Sequence, residues 1–339
     1  MDKNYQVVFT GQRQVEIQEV PMPVPNDTQV LVKTQVSQIS TGTELTMLEM
    51  EVDPNSSWGQ MKNVYPYYPG YSNIGVVVGG GKDVDPSYIG KRVLVPARHA
   101  QYYVWGYKDV IVLPDNVDAD EAAFSTLAVV AMASIRAACI RPGEAAVVYG
   151  AGIVGQLVAR LAKLAGATKV FVADLSDYRL SLLPDEPTYI KVNSGEVDVP
   201  KFIKEHNNGG LANVVFETTG NQNLVQSELY CLARRGRMII TSSPRGTSVV
   251  DFNFCSGMGI SITAAHNGAI HPPVATWENP WTQYRDHQYF VELLEKGLIS
   301  VKNLVSNKAD YKDAIGMYDL LMADRTKAMA VHLYWEGDK

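Results

Sequence analysis

With 339 residues and 46% hydrophobic content, the chain exceeds one ordinary core and suits two domains of roughly 100 to 200 residues each. A formal net charge of −6 and the lack of any Lys/Arg cluster argue against nucleic acid as a partner and favour a small-molecule ligand. Cys139, Cys231 and Cys255 are odd in number and widely spaced, which excludes a disulfide framework; no apolar signal core follows Met1 and no stretch approaches 18 apolar residues, so no membrane contact and a cytoplasmic location are expected.

Residues 5–36 alternate in strand-like runs, 15–20 and 30–34 among them, punctuated by Pro21, Pro23 and Pro25. Further strands are predicted at 74–78 and 92–95, with turns at Gly79-Gly80-Gly81 and Asp85-Pro86, so the first third reads as an antiparallel, partly barrel-like domain. From about residue 120 strands and helices alternate. Strands at 145–149, 169–173, 214–218, 237–241 and 260–264, with a short one at 189–192, predict a doubly wound parallel sheet in an α/β fold. A loop bearing Pro and Trp at 271–281, an amphipathic helix at 288–296 and a mixed tail to Trp335 follow. The three cysteines lie in apolar contexts that predict buried free thiols.

The most informative turn is Gly150-Ala151-Gly152-Ile153-Val154-Gly155, which stands where strand 145–149 becomes a helix. There Gly150 permits the tight turn, Gly152 lets backbone approach a pyrophosphate, and Gly155 lets helix and strand pack closely, while the helix N-terminus supplies amide donors. Asp174, nineteen residues past Gly155, suits a ribose 2′-hydroxyl and repels a 2′-phosphate, so NAD(H) is expected over NADP(H). Thr126, Ser242 and Ser243 fall where such a fold places nicotinamide and ribose contacts, and Thr218, Thr219 and Gly220 lie at another strand end.

This order of a β-rich domain, a nucleotide unit and a returning tail resembles the medium-chain dehydrogenase/reductase superfamily over nearly the whole chain. Residues 36–44, Val-Ser-Gln-Ile-Ser-Thr-Gly-Thr-Glu, look like the stretch where its alcohol and polyol dehydrogenases carry Cys-Gly-Thr-Asp. Pro69-Gly70-Tyr71-Ser72 looks like their Gly-His-Glu, Asp174-Leu175-Ser176 with Arg179 like their NAD-type strand end, and Asn303-Leu304-Val305 like their late Pro-Leu-Val turn. The resemblance implies a GroES-like catalytic domain at 1–119, a Rossmann NAD-binding domain at 120–270 and a return segment at 271–339. It also implies a homodimer or tetramer, paired through the strand at 260–264.

The departures from that pattern concern metal. Catalytic zinc takes three protein ligands from Cys, His and carboxylate. The matching positions here are Thr41, Tyr71 and Ser72, and the window 122–126, Ala-Ala-Phe-Ser-Thr, offers no such group. Residues 92–107 carry none of the clustered cysteines of a structural zinc, so neither metal is expected. A rearranged site of Glu44, His99 and His266 is the alternative. The substitutions, with Ala265-His266-Asn267 and His271-Pro272-Pro273, resemble a zinc-lacking branch that includes bacteriochlorophyllide hydroxyethyl dehydrogenase and related sugar or cyclitol dehydrogenases.

Without zinc, side chains must manage the hydroxyl proton. Tyr71, at a ligand position, suits donation to a carbonyl or, as a phenolate, acceptance from an alcohol. Thr43 stands in the superfamily's hydroxyl-relay position, Glu44 suits a terminal acceptor or an orienting group, and His99 is the other candidate base. Thr41, Trp58, His266 and Asn267 are expected to line the substrate pocket. Each residue also admits a plainer role, since a tyrosine at a ligand position fills vacated volume and a loop histidine often only makes a hydrogen bond. The expected activity is NAD(H)-dependent, zinc-independent interconversion of a secondary alcohol and a ketone on a sugar, cyclitol or other polyhydroxylated compound. A quinone or enone reductase of the same superfamily and a non-catalytic NAD-binding redox sensor are the alternatives.

Overall fold

Strands buried on both faces and strands buried on alternate residues build two different sheets. The computed structural model describes residues 3–326 and 328–335, so the extreme ends of the expected segments 1–119 and 271–339 lie outside the described residues. Two units result, one of Met1–Glu51, Gln60–Thr126 and His287–Lys339, the other of Val52–Gly59 and Leu127–Asp286.

In the second unit six parallel strands lie in the order Tyr189–Asn193, Lys169–Asp174, Ala145–Tyr149, Ala212–Glu217, Leu232–Ile240, Ser261–Ala264. Every residue of Ala145–Tyr149 is buried, as expected for a central strand with helices on both faces. Val147, Phe171, Val215, Leu229 and Met238 share one core cluster. Strand order reverses direction beside Ala145–Tyr149, and the crevice at the carboxyl ends of the strands at that point is where such sheets bind ligands. Leu232–Ile240 begins five residues before the predicted 237, because Leu232 pairs with Ala212 ahead of a register shift.

The first unit holds a seven-stranded sheet and the separate hairpin Lys3–Gly11 with Gln14–Pro21. Its hub is Gln29–Ile39, which alternates buried and half-buried residues along its first half and pairs with Asn73–Gly80, Tyr102–Gly106 and Ala330–Tyr334. The predicted turn at 79–81 is shorter than expected. Gly79 and Gly80 stay in the strand opposite Leu31 and Val30, and the chain leaves it at Gly81, where a Cβ would lie 1.9 Å from Asn26 O.

The return segment joins this sheet through Val305–Asp310 and Ala330–Tyr334. Asp120 fastens it, accepting from Tyr334 Oη at 2.5 Å and lying 2.8 Å from His332 Nδ1. The helix predicted at 288–296 is longer, Gln283–Glu295. Its start belongs to the second unit because buried Asp286 pairs there with Arg136 and with His271 Nε2 at 2.8 Å, while Arg136 lies 3.6 Å over the Trp281 ring. Cys231 and Cys255 are buried as expected, but Cys139 is exposed: it stands just past the helix Ser125–Ala138 with φ 46° and leaves the packed face.

Candidate active site

In the second unit the three glycines take separate roles. Gly150 has φ +96°, which favours glycine. A Cβ on Gly155 would lie 1.8 Å from Gly150 O, so only glycine permits that approach, whereas a Cβ on Gly152 would meet nothing within 4 Å. That open space faces the start of the helix Ile153–Leu164, which has no side-chain cap among the described residues. The first amides of a helix lack partners inside it, so those of Ile153 and Val154 suit an anion.

Asp174 closes the neighbouring strand, its Oδ2 accepting from Ala151 N at 2.6 Å and its Oδ1 from Ser176 N at 2.8 Å. Leu175 is 74% exposed beside it, and Arg179 lies on the short helix Asp177–Ser181. Thr218 Oγ1 donates to Tyr149 O at 2.6 Å and to Gly150 O at 3.1 Å, supporting the turn from below. Thr219 N and Gly220 N donate to Glu217 Oε1 at 2.6 and 2.8 Å, and Ser242 Oγ donates to Glu217 Oε2. Buried Glu217 therefore gathers two strand ends, Ser243 standing three residues past one of them, Ile240. Sequence reasoning missed it, although an acid closing an apolar strand is a legible signal.

In the first unit three segments, at Ser40–Glu44, His99 and Tyr318, converge on one carboxylate. Glu44, on the helix Thr43–Glu49, is completely buried; its Oε1 accepts from Ser40 N at 3.1 Å and its Oε2 from Tyr318 Oη at 2.6 Å. His99 Nε2 lies 3.2 Å from Glu44 Oε2 and His99 Nδ1 lies 2.7 Å from Ser37 Oγ, which accepts from Trp335 Nε1 at 2.8 Å. An indole only donates, so Ser37 satisfies every group by donating to His99 Nδ1 while Nε2–H points to Glu44. Gly70, φ +99°, makes the crossing possible, since a Cβ there would sit 2.3 Å from His99 N.

Tyr71 follows Gly70 and donates its hydroxyl to Ser40 Oγ. The residue is partly exposed and its hydroxyl is enclosed. Burial first, then the Glu44 charge, hold the phenol above its ordinary pKa, against the lowering effect of hydrogen bonds to Ser40 and Thr43. The phenolate form considered from sequence is therefore disfavoured, and Tyr71 stands as a neutral donor. Tyr67 is pushed up to about 12 by burial and the same charge.

Thr43, Glu44, Tyr71 and His99 are thus brought together, with Ser37, Ser40, Tyr318 and Trp335 added by the fold. Glu44 and His99 have no exposed surface and share one network with Ser37, Ser40 and Tyr318, which suits the orienting role expected of Glu44. Thr126 Oγ1 is committed to Tyr71 O at 2.7 Å. Thr41 belongs to the first unit while Trp58, His266 and Asn267 belong to the second, so neither unit alone collects the four expected pocket residues. His266 is exposed and caps a short helix, accepting from Gly268 N at 3.3 Å, and Asn267 Oδ1 is buried with no partner among the described residues.

A family profile described as zinc-binding dehydrogenase matches residues 154–281. An uncharacterized zinc-type alcohol dehydrogenase-like protein of Escherichia coli K12 is 24% identical over 92% of this chain and 93% of its own. A probable D-xylulose reductase A of Neosartorya fischeri is 26% identical over 92% of each. The crystal structure of 2R,3R-butanediol dehydrogenase from Bacillus subtilis shares the fold, with a TM-score of 0.81 at 19% identity over 98% of this chain and 99% of that one. By these matches the chain is similar to zinc-type alcohol and polyol dehydrogenases of the medium-chain dehydrogenase/reductase superfamily.

The positions at which the resemblance places zinc ligands hold hydroxyls bonded to protein. Tyr71 bonds Ser40, Ser72 Oγ donates to Ala123 O, and Ser125 Oγ lies 2.7 Å from His287 Nδ1. Among the described residues no group of three or more His, Cys, Asp or Glu is arranged to hold a metal, the Glu44, His99 and His266 alternative included. Hydroxyls bonded to protein do not supply the thiolate and imidazole set that zinc takes, so zinc does not fit these residues. The glycine turn does fit a dinucleotide, because its open cradle and unpaired helix amides match a pyrophosphate.

Proposed function

We propose that the protein is an NAD(H)-dependent oxidoreductase that interconverts a secondary alcohol and a ketone without zinc, on a sugar, cyclitol or other polyhydroxylated compound. The observation that carries this reading is the Tyr71 hydroxyl, kept neutral beside Ser40 and Thr43 at a position where the superfamily otherwise places a metal ligand. When bound, NADH supplies a hydride to the carbonyl carbon. Tyr71 then gives its proton to the carbonyl oxygen, so one O–H bond breaks on the phenol and one forms on the product. Thr43 is partly exposed and bonds the same phenol, which suits it to return a proton from solvent through its hydroxyl. Glu44 and His99 hold this arrangement, and in oxidation Tyr71 takes the alcohol proton as it passes its own to Thr43 and solvent, so that the phenol stays neutral.

Asp174 supports NAD(H) over NADP(H), since a carboxylate repels a 2′-phosphate. The names of the relatives, D-xylulose reductase and butanediol dehydrogenase, favour a hydroxylated substrate. No described helix is long and apolar enough to cross a membrane, and we place the protein in the cytoplasm. Ser261–Ala264 ends the parallel sheet with all four residues exposed, an open edge that a second copy would extend into a homodimer or a dimer of dimers.

The test is NADH-linked reduction of a ketose and cyclitol-ketone panel by metal-depleted protein. Turnover should persist after chelation, and Tyr71→Phe should lower it about 100-fold or more, the usual worth of a positioned acid, with NADH affinity unchanged. Activity only with enones would replace this reading by a quinone or enone reductase, and tight NADH binding with no turnover would replace it by a sensor.

A further inference from the structure

The helix that starts at the glycine turn carries two buried polar residues that the proposed chemistry leaves without a role. Gln156 has no exposed surface and Arg160 is 4% exposed, on a helix otherwise buried through residues such as Leu157, Val158 and Leu161. Burying an amide or a guanidinium is costly unless it is hydrogen-bonded. Both are bonded, and to one target. Gln156 Nε2 donates to Arg179 O at 2.8 Å and to Ala151 O at 3.4 Å. Arg160, four residues on and therefore on the same helix face, donates through Nη1 to Gln156 Oε1 at 2.7 Å and through Nη2 to Leu182 O at 3.1 Å.

Arg179 and Leu182 belong to the end of the five-residue helix Asp177–Ser181. Isolated helices shorter than ~12–15 residues are marginal in water, so this one depends on its anchors. Ser176 Oγ accepts from Arg179 N at 3.3 Å at its start, and Asp174 Oδ1 accepts from Ser176 N. At its other end Gln156 and Arg160 take the carbonyls, and a guanidinium there also meets the negative end of the helix. The bonds close a circuit from Ala151 through Asp174, Ser176, Arg179 and Gln156 back to Ala151.

We propose that Gln156 and Arg160 are positioning residues for the adenosine half of the dinucleotide: they fix 175–182 against the glycine turn and so set where Leu175 and Arg179 stand beside Asp174. The proposal rests on the NAD(H) reading above. Affinity for the adenosine half then depends on two side chains that never touch it, whereas the nicotinamide half is indifferent to them.

The experiment measures binding of NADH, ADP-ribose and reduced nicotinamide mononucleotide to the full-length protein, to Gln156→Leu and to the milder Arg160→Lys, with circular dichroism to check folding and hydrogen exchange across 176–183. The expected result for folded Gln156→Leu is an ADP-ribose Kd raised about tenfold or more, faster exchange confined to 176–183, and an unchanged Kd for the mononucleotide. Arg160→Lys should shift the same readouts in the same direction by less, and it decides the matter if Gln156→Leu does not fold. A folded variant with an unchanged ADP-ribose Kd, or with equal losses for both fragments, overturns the clamp. Wild-type protein that binds neither NADH nor ADP-ribose overturns the cofactor reading beneath it.

Discussion

The glycine turn of the second unit and the Tyr71 cluster of the first do comparable work with opposite materials. The turn is built from backbone, and its demands are steric: positive φ at Gly150, no Cβ at Gly155, empty space at Gly152. The cluster is held by Ser37, Ser40, Glu44, Tyr71, His99, Tyr318 and Trp335, and its demand is that each of these buried polar groups finds a partner. A backbone site should therefore fail abruptly when one atom is added. A side-chain network should fail in proportion to what is left unpaired.

The sharpest break comes from Gly155→Val. Its Cβ would lie 1.8 Å from Gly150 O, so NADH binding followed by fluorescence should disappear or the protein should not fold. A folded Gly155→Val protein that binds NADH as wild type does would refute the steric account of the turn.

Next in size is Glu44→Leu, which strips partners from Ser40 N, His99 and Tyr318 at once. Removing one side of a buried pair costs about 3–5 kcal/mol, to be read by urea unfolding. Glu44→Leu combined with His99→Leu should cost less than the two single changes added together, and strict additivity would mean the residues are not coupled.

A third prediction tests whether the second unit has side-chain networks of the same quality. Glu228 is fully buried and both its oxygens lack hydrogen-bond partners among the described residues. Burial first and then the Glu217 charge raise its pKa to about 9. With the folded value above the unfolded one, the proton is held more tightly in the folded state. The associated stability is complete below the ordinary value near 4.5 and is lost as pH rises to about 9. Glu228→Gln should flatten that dependence, gaining on the order of a few kcal/mol over wild type between pH 5 and pH 9. Parallel stability profiles for the two proteins would show that the carboxyl is not held neutral.

The smallest effect is expected at Asp174→Ala, where a side chain serves the backbone site. Loss of its bonds should weaken NADH binding about tenfold, near 1.4 kcal/mol, and narrow the preference over NADPH. Unchanged discrimination between the two cofactors would remove Asp174 from that role.

The glycine turn was legible because its geometry is local: Gly150, Gly152, Gly155 and Asp174 lie within one strand, helix and strand, and their spacing already encodes it. Tyr71 and Thr43 were legible through short strings near strand ends. Ser37, Tyr318 and Trp335 were not, because nothing in a serine on an alternating strand or a tyrosine on a late helix announces a shared carboxylate. Gln156 and Arg160 escaped for the same reason, since a polar residue inside an apolar stretch shows its partner only after the backbone has folded around it.

The sequence by itself determined the doubly wound sheet and the glycine turn between its first strand and helix, both of which follow from residue type at short spacing. Only the tertiary structure decided that Glu44 and His99 are enclosed together with Ser37, Ser40 and Tyr318 and that the Tyr71 phenol is held above its ordinary pKa. Burial and charge proximity are properties of the packed chain, and no short stretch of residues carries them.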